Sequence, residues 1–195
     1  MMSKTLNYYN DNAERFVQET ANVDISKNQK EFLKYIPDNG TVLDFGCGSG
    51  RDAKYFLEQG YHVEAVDGSE TMCRLASLQT GIPVKCMRFE ELDAVDIYDG
   101  IWACASILHL ARNELITVLH KMCRALKKTG ILYVSFKYGS FEGERKDRYF
   151  TDFTEESFAE VIAEVPELTI EKQWITNDAR PGRSEEKWLN LILKK

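Results

Sequence analysis

Short apolar runs alternate along this chain with stretches in which apolar residues recur every three or four positions. The runs predict buried strands, and the recurring stretches predict amphipathic helices. Strands are predicted at residues 41–45, 61–66, 84–87, 100–105, 131–136, 168–176 and 187–193. Helices are predicted at about 49–59, from a Ser69 cap onward, from Leu115 to a stop at Gly130, and from Phe158 to Val165. Strands that alternate with helices favour right-handed βαβ units and a parallel sheet.

Both ends of the chain depart from this alternation. Apolar residues from Leu6 to Val17 predict one amphipathic helix that packs on the main domain, and a second helix is predicted from an Asp24 cap. We expect a single domain, with residues 1–38 as an N-terminal helical cap and 39–195 as the core. Residues 138–149 are polar and contain glycine, which predicts a loop over the strand ends. The last two strands alternate in polarity and predict an antiparallel hairpin.

Residues 41–50 read Thr-Val-Leu-Asp-Phe-Gly-Cys-Gly-Ser-Gly, an apolar strand followed by three alternating glycines. Such glycines let the backbone turn tightly and approach a ligand without a Cβ in the way. A phosphate-binding P-loop requires G-x-x-x-x-G-K-[ST], which this sequence does not contain. The dinucleotide fingerprint G-x-G-x-x-G requires a glycine where this chain has Arg51. The segment therefore predicts a cofactor-binding turn of another kind.

The remaining pattern, D-x-G-x-G-x-G after an apolar strand, resembles motif I of the class I S-adenosylmethionine-dependent methyltransferases. Residues 137–150, with Asp178, Arg180 and Trp188, resemble the small bacterial tellurite-resistance-like members, a group close to methyltransferase types 11 and 12. The resemblance implies an α/β, Rossmann-like seven-stranded sheet of order 3-2-1-4-5-7-6, with the last strand antiparallel and helices on both faces. It also implies S-adenosyl-L-methionine as cofactor and methyl transfer by in-line displacement to a small acceptor.

The resemblance also implies where the cofactor binds. In this family the glycine loop wraps the aminoacyl end of the cofactor, and the acid at the position of Asp44 orients the loop and the ammonium group. Asp67 ends the second predicted strand, where a carboxylate can accept hydrogen bonds from both ribose hydroxyls; a helix-capping acid is the alternative. Aromatic residues of the leading helix suit a sulfonium cation, and they equally fit a helix that only packs. The predicted cofactor-binding residues are Tyr9, Phe16, Asp44, Gly46, Cys47, Gly48, Gly50, Asp67, Gly68, Ser69, Met72, Phe89, Glu90 and Ala105.

Four residues are predicted to contact the methyl acceptor or to take part in the chemistry. His109 and Tyr138 are candidate bases for an acceptor that must lose a proton. Arg148 and Arg180 are predicted to form a fork for an anionic acceptor, such as an oxyanion or a carboxylate. The fourth strand is not followed by an acid or asparagine and Pro-Pro-aromatic, which disfavours the members that modify exocyclic amines of nucleic-acid bases. The acceptor itself is not defined, because this fold serves many chemistries.

Charge and composition narrow the partners. The net charge of −6 argues against a dedicated nucleic-acid binder, and no apolar run is long enough to span a membrane, so we expect a small-molecule acceptor and a cytoplasmic location. Five cysteines without C-x-x-C and only three histidines predict neither a disulfide framework nor a metal site. Two alternatives stay open: a NAD-dependent oxidoreductase, which Asp67 supports and Arg51 weakens, and a non-catalytic cofactor-binding protein of the same fold. The oligomeric state is open as well.

Overall fold

Nine strands form two sheets in the computed structural model, which describes the backbone of residues 2–195 and the side chains of residues 4–195. The main sheet contains β1 (Thr41–Phe45), β2 (His62–Asp67), β3 (Val84–Cys86), β4 (Tyr98–Ala103), β5 (Leu126–Lys137), β8 (Thr169–Asn177) and β9 (Lys187–Lys194). The second sheet pairs β6 (Glu142–Arg145) with β7 (Arg148–Thr151). The α-helices are α1 (Met2–Asp11), α2 (Ala13–Thr20), α3 (Ser26–Leu33), α4 (Arg51–Glu58), α5 (Glu70–Thr80), α6 (Arg112–Ala125) and α7 (Glu155–Ala163).

The main sheet has the strand order β3-β2-β1-β4-β5-β9-β8. Strands β1 to β5 pair in parallel, and β9 runs antiparallel to both of its neighbours. When the strands of this sheet alone are counted along the chain, the order is the expected 3-2-1-4-5-7-6, so the predicted Rossmann-like fold is confirmed. The strand order reverses between β1 and β4, and the carboxyl ends of these strands therefore flank a crevice that can hold a ligand.

Helices cover both faces of the sheet because successive residues of the central strands are apolar. Leu43 of β1 packs with Leu119 of α6 on one face. Val42 packs with Phe32 of α3 and Phe56 of α4 on the other. Successive side chains of a strand point to opposite faces, so one short apolar run supplies both cores. This explains why the parallel strands read as continuous apolar segments.

Local signals explain the bounds of several elements. Ser69 Oγ accepts a hydrogen bond from Met72 N at 3.2 Å, so Ser69 caps α5 as predicted. Gly81 ends the same helix with φ of 77°. The predicted stop of α6 at Gly130 is wrong, because the helix ends at Ala125 and β5 begins at once with Leu126, which pairs with Tyr98.

The predicted single leading helix is also wrong, because two helices meet at Asn12. Asn12 has φ of −113° and ψ of 14°, outside the helical region, and its side-chain amide donates a hydrogen bond to Tyr8 O at 2.9 Å. An asparagine side chain that competes for a helix carbonyl is a known cause of such a break. The break separates α1 from α2, and both helices contribute residues to the cleft described below.

Residues 138–149 do not form the predicted loop. They include β6 and most of the β6–β7 hairpin, whose turn contains Lys146 and Asp147 at φ of 51° and 61°. The hairpin is polar where it meets solvent, which is why its sequence reads as a loop. Phe150 and Thr151 are buried and anchor β7 to the domain.

None of the helices in residues 2–195 combines the length and the apolar character that crossing a membrane requires.

Candidate functional site

A cleft of about 610 Å³ opens at the carboxyl ends of β1, β2 and β4. Its floor consists of the glycine turn, residues 46–50, and the residues that directly follow β2 and β4. Its roof consists of α1 and the β6–β7 hairpin. Residues 176–180 and Trp188, at the turn between β8 and β9, close the far side.

The glycine turn places backbone amides at the floor. Gly46 has φ of 83°, and a Cβ added there would lie 2.5 Å from Cβ of Ser106, so no larger residue fits. The amides of Gly46 and Cys47 both donate to the carbonyl oxygen of Val66 at 2.9 Å. The turn is therefore fixed against the end of β2.

Asp67 joins the two loops of the floor. Its Oδ2 accepts a hydrogen bond from Gly48 N at 2.9 Å, and its Oδ1 accepts one from Ser69 N at 2.9 Å. Burial raises the pKa of Asp67 above the usual range, and these amide donors oppose the rise. A carboxylate can accept about four hydrogen bonds, so Asp67 keeps acceptor positions for a ligand that enters the cleft.

Asp44 supports the floor from behind. It is 2% exposed, does not line the cleft, and its Oδ2 accepts a hydrogen bond from Ala53 N at 2.9 Å in the first turn of α4. Burial, together with the nearby Asp52 carboxylate, raises the pKa of Asp44. The structure thus shows Asp44 holding the start of α4 and the glycine turn, rather than facing a ligand.

Asp52 carries the ionic contacts of this buried region. It accepts hydrogen bonds from Arg51, from Gln29 Nε2 at 2.8 Å and from Trp102 Nε1 at 2.9 Å. Burial opposes ionisation of Asp52, but the Arg51 guanidinium and the other donors outweigh it and lower the pKa. Arg51, the residue that breaks the dinucleotide fingerprint, lines the cleft in this pair.

His109 connects the roof to the floor. Its Nδ1–H donates to the carbonyl oxygen of Tyr149 in the hairpin at 2.6 Å, and its Nε2 accepts from the hydroxyl of Tyr9 in α1 at 2.8 Å. Burial, with a smaller contribution from the Arg148 charge, lowers the pKa of His109 to about 4. His109 is therefore a neutral imidazole at physiological pH, with both ring nitrogens engaged.

Arg148 brings a positive charge into the roof. Its guanidinium lies 4.3 Å from the ring centre of Tyr8, 5.7 Å from that of Tyr9 and 5.1 Å from that of Phe150. Among residues 4–195 it has no carboxylate within ion-pair distance, and its Nε is buried without a hydrogen-bond partner. Such a cation is suited to an anion that enters the cleft.

Arg180 lines the same cleft but differs from Arg148 in its partners. Its Nε donates to Asp178 Oδ1 at 2.9 Å and its Nη2 donates to Asp178 Oδ2 at 2.5 Å, and Trp188 Nε1 donates to the same carboxylate. The Arg180 guanidinium and the Trp188 indole hold the pKa of Asp178 at about 2, although burial opposes this. The two arginines of the predicted fork therefore differ, because Asp178 balances the charge of Arg180 and no carboxylate among the described residues balances that of Arg148.

The structure brings most of the predicted residues together. Those that line the cleft are Tyr9, Phe16, Gly46, Cys47, Gly48, Asp67, Gly68, Met72, Phe89, Ala105, His109, Arg148 and Arg180. Gly50 and Ser69 lie behind the lining and hold the starts of α4 and α5.

Besides Asp44, Gly50 and Ser69, two more predicted residues do not line the cleft. Tyr138 is 37% exposed and is not among the lining residues, and the adjacent Glu155 carboxylate raises its pKa, so this geometry does not bring Tyr138 to the cleft. Glu90 is exposed and pairs with Arg88 at 3.3 Å, while Arg88 and Phe89 line the cleft instead. Position along the chain does not determine the direction of either side chain.

Sequence reasoning missed several lining residues. Leu6 of α1 lies over Gly68, where an added Cβ would come within 2.8 Å of its Cδ2. Asn28 of α3 lines the cleft. Its Nδ2 donates hydrogen bonds to the hydroxyl of Tyr133 at 3.2 Å and to Oδ1 of Asn190 at 3.0 Å. No local pattern marks these residues, because their partners are distant along the chain. The described residues contain no group of three or more His, Cys, Asp or Glu side chains arranged to hold a metal ion.

Comparison with known proteins connects this geometry to a family. Residues 42–130 match the family described as "Methyltransferase domain". A stretch of 80 residues is 35% identical to the tRNA U34 carboxymethyltransferase of Shewanella halifaxensis. The aligned stretch covers 37% of this chain and 24% of that protein. The chain spans less than half the length of the curated relatives that it matches.

Solved structures extend the likeness to the whole fold. The 1,6-didemethyltoxoflavin-N1-methyltransferase of Burkholderia thailandensis, with bound 1,6-didemethyltoxoflavin and S-adenosylhomocysteine, superposes with a TM-score of 0.77. That match is 24% identical and covers 97% of this chain and 84% of that one. A TehB-like methyltransferase of Corynebacterium glutamicum superposes at 0.69, with 21% identity over 97% of this chain and 98% of that one. These likenesses show the fold, and they do not single out the tellurite-resistance-like group. The sequence match over residues 42–130 and the strand order of the sheet together support a class I S-adenosylmethionine-dependent methyltransferase.

Proposed function

We propose that this protein transfers a methyl group from S-adenosyl-L-methionine to a small anionic acceptor. The observation that carries the proposal is the distribution of charge in one cleft, with the Asp67 carboxylate in the floor and the unpaired Arg148 guanidinium in the roof. A carboxylate beside a glycine turn is suited to ribose hydroxyls, and a guanidinium is suited to an anion. The acceptor of the Burkholderia relative is a small molecule, which also supports this class.

The floor supports cofactor binding. Gly46 and Gly48 both have positive φ, and their lack of a side chain lets Ser106 and Phe16 approach the turn closely. The rings of Tyr9 and Phe16 meet edge to face at 5.2 Å over the same turn. We infer that Asp67 accepts hydrogen bonds from the ribose and that the glycine turn holds the aminoacyl end. When bound, the cofactor supplies an electrophilic methyl group on a sulfonium ion, which aromatic faces stabilise.

Arg148 would hold the acceptor. Its charge is free, whereas the charge of Arg180 is committed to Asp178. The rings around Arg148 limit its movement and exclude water from one side, which strengthens its attraction for an anion. Alignment of the acceptor and exclusion of water are the main contributions that a protein makes to in-line displacement.

His109 is better suited to positioning than to accepting a proton. Its Nε2 already accepts from Tyr9, and its pKa of about 4 makes it a weak base at neutral pH. Burial also raises the pKa of Tyr9, so the phenol stays neutral. We infer that the acceptor enters already ionised and that His109 keeps Tyr9 in place beside it.

A labelled-cofactor assay tests the proposal. The protein is incubated with methyl-labelled S-adenosylmethionine and a panel of small carboxylic acids, phenols and thiols, each matched with a neutral ester, amide or ether. We expect label and the mass of one added methyl group in at least one ionised compound, and not in its neutral partner. Equal transfer to the neutral partners, or a protein that binds S-adenosylhomocysteine and methylates no member of the panel, would contradict the proposal.

A further inference from the structure

We propose that Cys73 and Cys86 form a redox-active dithiol beside the floor of the cleft, which a low-molecular-weight disulfide oxidises to an intramolecular disulfide. Neither residue lines the cleft. Both are free thiols, with Cys73 buried and Cys86 exposed. Their position behind residues 67–68 connects the state of the two sulfurs to the part of the floor that we assign to the cofactor.

The two thiols approach the same strand ends from α5 and β3. Cys73 Sγ lies 3.2 Å from the carbonyl oxygen of Asp67 and 3.7 Å from that of Lys85, the residue directly before Cys86. Cys86 Sγ lies 3.9 Å from the carbonyl oxygen of Gly68. Asp67 and Cys86 are register partners of β2 and β3. The sulfurs therefore sit over neighbouring peptide units at one edge of the sheet.

The periodicity of β3 and of α5 places the side chains of Cys86 and Cys73 in the same layer, between the sheet and α5. Val84 packs against the apolar cluster that contains Ala76 of α5. Cys86, two residues further along β3, faces that side as well, and Cys73 precedes Ala76 by one helical turn. Burial chiefly raises the pKa of Cys73 to about 12, with contributions from the Asp67 carboxylate and from the Cys86 thiol.

The exposed thiol is the entry point for the chemistry. The Cys86 thiolate attacks one sulfur of the external disulfide, which forms a mixed disulfide and releases one reduced thiol. Cys73 then loses its proton to solvent and attacks Cys86 Sγ, which forms the internal bond and releases the second reduced thiol. Two protein thiols are oxidised and one external disulfide is reduced, so atoms and electrons balance. The high pKa of Cys73 makes the second step slow at neutral pH and faster under mildly alkaline conditions.

Oxidation would change the floor directly. It removes the S–H groups that face the carbonyl oxygens of Asp67 and Gly68, and it draws the start of α5 toward the end of β3. Asp67 also accepts the amide of Gly48, so a shift at residue 67 reaches the glycine turn. We expect the oxidised protein to bind S-adenosylhomocysteine more weakly, an effect that rests on the proposed function.

Peptide mapping and calorimetry test the two parts separately. The protein is treated with oxidised glutathione at mildly alkaline pH, alkylated and digested with trypsin. Cleavage after Arg74 and Lys85 leaves Cys73 in residues 55–74 and Cys86 in residues 86–88, so the bond is a distinct linked pair of peptides. We expect this pair in the wild type and in the control Cys123→Ala, and its loss in Cys86→Ser. Glutathione that stays attached to Cys86 without a linked pair would overturn the proposal.

The affinity of the same samples for S-adenosylhomocysteine tests the coupling. We expect oxidation to weaken binding about threefold or more in the wild type and reduction with dithiothreitol to restore it, while Cys86→Ser stays unchanged by either treatment. Equal affinity of the oxidised and reduced wild type would overturn the coupling to the floor. If the reduced protein does not bind the nucleoside at all, the proposed function fails, whereas the linked peptides still decide the thiol chemistry.

Discussion

The floor and the roof of the cleft are specified in different ways. In the floor, the contact between Gly48 and Asp67 joins residues 19 positions apart, and it follows from one βαβ unit. In the roof, Thr5 meets Tyr149 and Tyr9 meets His109 across 144 and 100 positions. The end that we assign to the cofactor is thus built from local signals, and the end that we assign to the acceptor is built from tertiary contacts. Changes in the floor should therefore alter cofactor affinity, and changes in the roof should alter acceptor use and the stability of the roof itself.

The largest effect is expected for Asp67→Ala. The substitution removes the acceptor of two backbone amides and, in our proposal, of the ribose hydroxyls. A loss of about 3 kcal/mol corresponds to about 100-fold weaker binding of S-adenosylhomocysteine, measured by calorimetry. Asp38→Ala, which removes an exposed carboxylate far from the cleft, is the matched control. Undiminished affinity in Asp67→Ala would remove the distinction between floor and roof.

Arg148→Gln should be the next largest change, and it should affect the acceptor alone. We expect about 30-fold lower kcat/KM for an ionised acceptor with cofactor affinity unchanged, because a hydrogen-bonded charge is lost. Arg180→Gln combined with Asp178→Asn, which removes the ion pair without leaving a buried carboxylate unpaired, should cost only about threefold, since the charge of Arg180 is already balanced by Asp178. Steady-state kinetics on both variants decide this, and a larger effect at Arg180 would contradict the assignment of the anion site.

His109 makes the roof sensitive to acid. Its pKa is about 4 in the folded protein and about 6.5 in the unfolded chain, so the unfolded chain binds more protons between these values and stability falls as the pH falls. Between about pH 7 and about pH 5 the wild type should lose about 2 kcal/mol of unfolding free energy that His109→Gln does not lose. Urea unfolding of both proteins at the two pH values measures the difference. An equal loss of unfolding free energy in the two proteins would show that His109 is not held neutral in the roof.

The smallest effects are expected where α1 meets the hairpin. Thr5 Oγ1 accepts the amide of Tyr149 at 3.1 Å, and Thr5 is buried, so Thr5→Ala should cost about 1 kcal/mol. Lys4 and Glu144 form an ion pair that is mostly exposed, and Lys4→Ala should cost less than about 0.5 kcal/mol. Urea unfolding measures both free energies. A larger loss in Lys4→Ala than in Thr5→Ala would mean that the exposed ion pair, and not the buried hydrogen bond, holds α1 against the hairpin.

The floor could be predicted from the sequence because each of its parts has a local cause. The apolar run at 41–45 forms β1 at the predicted residues, and Ser69 caps α5 as expected. The glycines need positive φ within a single turn, so their spacing alone identifies the backbone conformation. The strand order followed from the family resemblance, which rests on this same segment.

The roof and the far side of the cleft could not be predicted, because their side chains are placed by contacts that form only in the folded chain. The hairpin at 142–151 reads as polar loop, since only Phe150 and Thr151 of its sequence are buried. The pairing of Arg180 with Asp178 is visible only once the turn between β8 and β9 is folded. The sequence also suggests Tyr138 as a base, but whether its side chain reaches the cleft depends on the surrounding elements, and in the structure it is exposed.

A crystal structure of the protein soaked with S-adenosylhomocysteine tests the central claim most directly. The account predicts the nucleoside in the cleft, with its ribose hydroxyls within hydrogen-bonding distance of the Asp67 carboxylate. It also predicts the sulfur pointing toward the side on which Arg148 lies. A nucleoside bound elsewhere, or a cleft that stays empty at saturating concentration, would contradict the account.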